Sequence, residues 1–330
     1  MSSQPKTLLS GVKPTGRPHI GNYFGAMKQF VDLQAAHKDA RKFFMIADYH
    51  ALNFIQDGAK MHDLIIDLAL DYLAIGLDPK QSVIFKQSDV SAHTELAWVF
   101  DTITTIPYLE RAHAYKDAEA KNKEISVGTF NYPMLMAADI LLYDANIVPV
   151  GQDQKQHIEY ARDTALKFNH IFCGGEKENG GAPLFILPEP LIMKDVATVP
   201  GIDGQKMSKS YNNTIPLFAT EEEMTKAVMG IVTDSGSGIP KNVYDIHRLF
   251  RTEAELAVIY EEHKGKYKAL KDALLADLKA FINPLRTRRE ELAKDKEAVL
   301  KILKEGGERA RSVAEPKMQE VRKTIGVGLY

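Results

Sequence analysis

Three segments carry side chains that could do chemistry. The first is Pro14-Thr15-Gly16-Arg17-Pro18-His19-Ile20-Gly21-Asn22. Where such a turn opens a helix, free backbone N–H groups and the positive dipole end face outward, and Gly16 and Gly21 let a phosphate or nucleobase approach the chain closely. His19 and Asn22 can then bond phosphate or ribose oxygens. The same residues also read as an ordinary Gly-Pro turn capped by His19. The glycine spacing is neither that of a Walker A loop nor that of a dinucleotide fingerprint. The second segment is Lys206-Met207-Ser208-Lys209-Ser210, in a loop rich in Gly, Ser and Asn. Two lysines three apart with interleaved hydroxyls suit a triphosphate whose charge moves toward pyrophosphate in the transition state. A solvated surface loop has the same composition.

The third segment runs from Gly128 to Tyr143 and places Asp139 in otherwise apolar sequence. A carboxylate there is costly to bury unless it accepts hydrogen bonds. Residues 132, 136, 139 and 143 follow the spacing of one helix face, so Tyr132, Met136 and Asp139 can line one pocket. The thioether of Met136 suits the face of an indole, and ionised Asp139 matches a ring N–H donor. An aspartate at a buried turn, with Met136 as core, fits the segment too.

These segments need a scaffold. Thr7–Val12, Phe43–Ala47, Ser82–Lys86 and Ile147–Val150 read as strands, and 22–34, 61–75, 93–105, 130–143 and 153–169 as helices between or after them. Such alternation predicts an α/β fold, a parallel sheet joined by crossover helices. After Ala219 no strand pattern remains, and 221–231, 243–264 and 268–315 have helical spacing. The expected division is a catalytic domain over 1–218 and a smaller all-helical domain over 219–330.

The chain has 330 residues, a formal net charge of −2 and one cysteine, Cys173. The charge gives no overall sign of a nucleic-acid partner, although the stretch from Phe281 onward has an excess of four positive charges. A single cysteine makes neither an internal disulfide nor a metal centre, which fits a reducing cytoplasm. No signal-peptide pattern or membrane span is read.

Taken in order, the first two segments resemble the HIGH and KMSKS signatures of class I aminoacyl-tRNA synthetases. The first reads HIGN and the second matches fully. Gly128 to Tyr143 and Ile147 to Glu159 bring the resemblance to the bacterial tryptophanyl-tRNA synthetases. It implies a Rossmann-like catalytic domain and tRNA(Trp) as partner, with L-tryptophan and ATP as substrates, Mg²⁺ carried by ATP with no metal site of the protein's own, a helical anticodon-binding domain and a homodimer. His19, Asn22, Lys206 and Lys209 take the catalytic positions. ATP contacts fall on Lys13, Pro14, Thr15, Gly21, Asn22, Gly151, Gln152, Asp153, Val196 and on Lys206, Met207, Ser208, Lys209 and Ser210. Asp139, Tyr132, Met136 and Gln154 take the tryptophan positions. Lys13 departs from the glutamine common there. His50 lies where the family often has a histidine, with a structural role equally open. A tyrosyl-tRNA synthetase, a small nucleotidyltransferase or a non-catalytic RNA-binding paralogue are the competing readings.

Overall fold

Short runs of β-branched and aromatic residues build a five-stranded sheet in the computed structural model. The structure describes residues 6–329 except 113, 114, 117, 118, 120–123, 151–154, 175–181, 193–198 and 234–237. The strands are β1 (Thr7–Val12), β2 (Arg41–Ile46), β3 (Val83–Lys86), β4 (Ile147–Val150) and β5 (Glu189–Ile192). All neighbours pair in parallel, in the order β3-β2-β1-β4-β5, with Leu9 opposite Phe43 and Leu8 opposite Ile147. Four of these strands were expected; β5 was not. Chain order reverses between β1 and β4, and such a switch point opens a crevice at the carboxyl ends of the strands.

The helices are α1 (Ile20–Asn22), α2 (Lys28–Ala36), α3 (Asp48–Ala51), α4 (Gly58–Ala74), α5 (Ala92–Ile103), α6 (Ile106–Leu109), α7 (Val127–Leu141) and α8 (Lys155–Phe172), followed by α9 (Glu221–Met229), α10 (Lys241–His247), α11 (Glu253–Glu262), α12 (Tyr267–Ala293) and α13 (Lys296–Thr324). A π-helical turn, Tyr23–Met27, joins α1 to α2. The expected helix over 243–264 is two helices, because Thr252 and Glu255 form a capping box that starts α11 afresh. The expected helix over 268–315 also divides, with Asp295 capping α13.

Alternation along the strands sorts the core. Leu8, Phe44, Ile46 and Ile84 face α4 and the apolar side of α12, including Leu274 and Leu278. Leu9, Phe43, Met45 and Phe85 face α5, α7 and α8. The last helix crosses from one cluster to the other: its Val299 and Leu303 belong to the first, its Ala310 to Val321 to the second. It thereby covers the β3 edge of the sheet, which would otherwise offer unpaired backbone groups. The crossing requires glycine, since a Cβ on Gly306 would lie 1.8 Å from the Ile84 carbonyl oxygen. Gly306→Ala is therefore expected to destabilise the protein by about 3 kcal/mol. Gly58→Ala, which meets nothing within 4 Å, serves as the control. Urea midpoints check this, and equal midpoints would contradict the packing of α13 on β3.

Candidate active site

The turn after β1 and the loop at 206–210 form two sides of a cleft of about 510 Å³. His19 caps α1: its Nδ1 accepts from the Asn22 N–H at 3.2 Å, and the Asn22 side-chain oxygen accepts from the His19 N–H at 3.1 Å. Gly21 makes this fold-back possible, because a Cβ there would sit 2.9 Å from His19 Nδ1. With Nδ1 used as acceptor, the ring proton resides on Nε2. The ring, which lines the cleft, thus has an N–H donor left for an oxyanion. Capping and phosphate binding, weighed as alternatives from the sequence, are compatible uses of its two nitrogens.

Burial and the charge of Lys209 push the His19 pKa down to about 4 from the ordinary 6.5. The unfolded chain therefore takes up this proton first as pH falls. The stability present above pH 6.5 is lost as pH drops through the folded value of about 4. His19→Asn can still accept from the Asn22 N–H and is expected to lose this slope. Urea midpoints measured across that pH window compare the two proteins, and parallel curves would contradict a buried neutral His19.

Asn213 holds the 206–210 loop from beneath. It is 1% exposed, accepts from the Ser208 N–H at 2.8 Å and donates to the Lys206 carbonyl at 3.1 Å and to Asp203 at 2.8 Å. Met207 is buried in the core, so its side chain anchors the loop, while Lys206, Ser208 and Lys209 line the cleft. Ser210 is exposed and lies beside Ser208, its N–H donating to the Ser208 hydroxyl. Lys209 spans the cleft, donating from Nζ to the carbonyls of Gly16 at 2.8 Å and Thr15 at 3.3 Å. An ammonium has three donors, so one remains for a ligand. Strand-like pairing fixes this closure: the Ile20 N–H donates to Ile215 and the Leu217 N–H to Pro18.

The opposite wall is α4, with Leu64, Asp67, Leu68 and Asp71 turned to the cleft. Both carboxylates are held by Arg289 of α12, at 2.6 Å to Asp71 and 2.7 Å to Asp67. Burial raises the Asp71 pKa to about 6 against the opposing pull of Arg289. Pro14 and Thr15 line the same cleft, as does Lys13, whose ammonium lies 4.8 Å from the Phe54 ring centre and whose pKa burial lowers.

Asp139, on α7, is 1% exposed, and three side chains meet it. Its Oδ1 accepts from Gln87 Nε2 at 2.7 Å and His93 Nδ1 at 2.6 Å, and its Oδ2 from His50 Nε2 at 2.9 Å. Burial raises its pKa, but the hydrogen bonds from His50 and His93 outweigh this and hold it below the ordinary carboxylate value. The carboxylate is thus ionised and acceptor-only. Of the helix face read from the sequence, Tyr132 and Asp139 both meet His50 and Tyr143 lies beyond the helix end: Tyr132 packs edge-on to His50 at 6.3 Å between ring centres, and its hydroxyl lies 3.2 Å from His157. Met136 is partly buried against the core beneath α7.

Gly151, Gln152, Asp153, Gln154 and Val196 lie outside the described residues. Gln87, His93, Asn213 and Asp71 were not singled out from the sequence, and Arg289 was read only as part of the basic stretch after Phe281, whereas it pairs with Asp67 and Asp71. Only Asn213 carried a local signal, as an Asn closing the Gly-rich loop. Much of the positive charge after Phe281 is spent internally. Arg286 donates to the Ala219 carbonyl, Arg309 to Pro79 and Arg311 to Asp89, while Lys317 pairs with Asp144 and Arg322 with Glu95. These cations fasten α12 and α13 to the rest of the protein.

Residues 1–304 match the family described as tRNA synthetases class I (W and Y). The chain is 45% identical to a tryptophan–tRNA ligase of Fusobacterium nucleatum, with 98% of each chain covered. It is 44% identical to one of Rhodopirellula baltica, over 97% of this chain and 99% of that one. Among solved structures, the tryptophanyl-tRNA synthetase of Campylobacter jejuni complexed with ADP and tryptophan superposes with a TM-score of 0.87, at 42% identity and with 97% of this chain and 99% of that one covered.

Proposed function

The chain belongs to the class I tRNA synthetases of the tryptophan and tyrosine group, and from that premise we propose that it joins tryptophan to tRNA(Trp) through an ATP-derived adenylate. The observation that carries the adenylate chemistry is Lys209 bonded to Thr15 and Gly16, which closes two loops remote in sequence over one cleft. Tryptophan as the amino acid follows from relatives at 42 to 45% identity, one of them with tryptophan bound.

In the first step a carboxylate oxygen of tryptophan attacks the α-phosphorus of ATP, the bond to the bridging oxygen breaks, and pyrophosphate leaves. No protein nucleophile is required. His19 Nε2–H donates to a phosphate oxygen, and Lys206 and Lys209 stabilise charge building on pyrophosphate. Asn22, Gly21 and Lys13 to Thr15 complete the nucleotide contacts. Asp139 accepts the indole N–H through Oδ2, beside Tyr132 and Met136. In the second step a hydroxyl of the terminal tRNA ribose attacks the acyl carbon and AMP leaves. Gly151 to Gln154 and Val196 are assigned to ATP and tryptophan on the family resemblance alone.

Among the described residues no group of three or more metal-binding side chains occurs, and Asp67 and Asp71 are committed to Arg289. Mg²⁺ is assigned to the nucleotide substrate on the family resemblance. Anticodon recognition is placed in the helices of 219–330. A homodimer is supported by large apolar side chains exposed along α5 to α7, with Trp98 at 70%, Ile106 at 64% and Val127 at 81% exposed. A reducing cytoplasm suits the single free thiol of Cys173.

Incubation with ATP, Mg²⁺, labelled tryptophan and bacterial tRNA tests the whole reading. Label is expected on tRNA(Trp) through an alkali-labile ester. Label on no tRNA, with adenylate still formed, would remove the transfer step.

A further inference from the structure

The donors around Asp139 are unequally divided. A carboxylate oxygen accepts about two hydrogen bonds, so Oδ1 is filled by Gln87 and His93, whereas Oδ2 meets His50 alone among the described residues. The unused capacity therefore lies on Oδ2. His93 is the most constrained of the three donors. Its ring is fully buried, stacked on Phe85 at 6.2 Å and tilted against Tyr143 at 5.5 Å. Its Nε2 lies 2.9 Å from the Tyr143 hydroxyl. The tautomer that donates from Nδ1 to Asp139 leaves Nε2 as an acceptor, and the Tyr143 O–H is the donor that satisfies it. Without that hydroxyl the ring proton can move to Nε2, turning a lone pair on Nδ1 toward the carboxylate.

We propose that His93, oriented by Tyr143, is a specificity-determining positioning residue that fixes Oδ1 of Asp139, so that Oδ2 alone is presented to the ring N–H of the amino acid. The proposal rests on the reading of Asp139 as acceptor of the indole N–H. It adds two residues that touch no substrate and act through the carboxylate. A buried polar chain of this kind imposes one geometry when all its members are satisfied.

The test compares tryptophan with β-(3-benzothienyl)alanine, in which sulfur replaces the ring N–H, by amino-acid-dependent pyrophosphate exchange. Tyr143→Phe keeps the ring packed on Phe43, now 4.7 Å away, and deletes only the hydroxyl. His93→Leu removes both bonds, and His93→Asn keeps an N–H near the place of Nδ1. The preference for tryptophan in kcat/KM is expected to fall about tenfold in Tyr143→Phe and His93→Leu and to be largely restored in His93→Asn. The loss should appear in KM for tryptophan, with kcat and KM for ATP within about twofold of the parent. An unchanged preference in Tyr143→Phe would overturn the proposal, as would a His93→Asn enzyme no better than His93→Leu. If His93→Leu does not fold, Tyr143→Phe alone decides. Asp139→Asn separates the two levels: if it retains the preference, the reading of Asp139 itself fails. If it loses the preference while Tyr143→Phe and His93→Leu keep it, only the role of His93 and Tyr143 fails.

Discussion

Replacing Asp139 with alanine is expected to lower kcat/KM for tryptophan on the order of a thousandfold while leaving KM for ATP near its original value. A site built to bond an N–H discriminates by orders of magnitude, because the wrong ligand leaves a buried group unpaired. Here the carboxylate is 1% exposed and its pKa is held low by hydrogen bonds from His50 and His93 against the effect of burial. Alanine also leaves three buried donors unpaired, so Asp139→Asn, nearly equal in volume, is the companion variant. Pyrophosphate exchange titrated separately in tryptophan and ATP measures both, and equal losses in the two KM values would remove Asp139 from amino-acid recognition.

Lys209→Ala is expected to slow adenylate formation about a hundredfold, the effect of removing one preorganised charge donor worth on the order of 3 kcal/mol in the transition state. The ammonium is pre-placed by the Thr15 and Gly16 carbonyls, which lie at the mouth of the turn that carries His19. The loss should fall on kcat more than on KM for ATP, since the charge that Lys209 meets develops as pyrophosphate departs. Stability should change little, because the side chain belongs to an exposed loop residue. A fall below about threefold in pyrophosphate exchange would remove Lys209 from the mechanism.

The parts of the site that were legible in the sequence are those whose chemistry lies in contiguous residues. His19 to Asn22 form their cap within one turn, and 206–210 is a continuous loop, so both display their donors locally. The face of α7 was legible because helical spacing alone brings Tyr132 and Asp139 to one side. What meets that face was not. His50, Gln87 and His93 come from three separate segments, 89, 52 and 46 residues from Asp139. No local pattern announces a hydrogen bond made across the sheet. The acidic wall was hidden for the same reason, since Arg289 reaches Asp71 from 218 residues away.

The fold shows a similar boundary. Strands rich in Phe, Ile and Val stood out, whereas β5 has four residues with Pro190 among them, tolerable because it is the sheet edge. The divisions of the C-terminal helices had signals in Thr252-x-x-Glu255 and Asp295, overshadowed by a Leu/Lys/Glu composition that continues across the breaks. The course of α13 over the β3 edge depends on a close approach at Gly306, and a glycine inside a helical pattern does not say what it approaches.

Pyrophosphate exchange dependent on tryptophan and on tyrosine, measured side by side with ATP and Mg²⁺ saturating, tests the central claim most directly. Exchange is expected with tryptophan and to be lower with tyrosine by about four orders of magnitude. Exchange supported by tyrosine and not by tryptophan would contradict it.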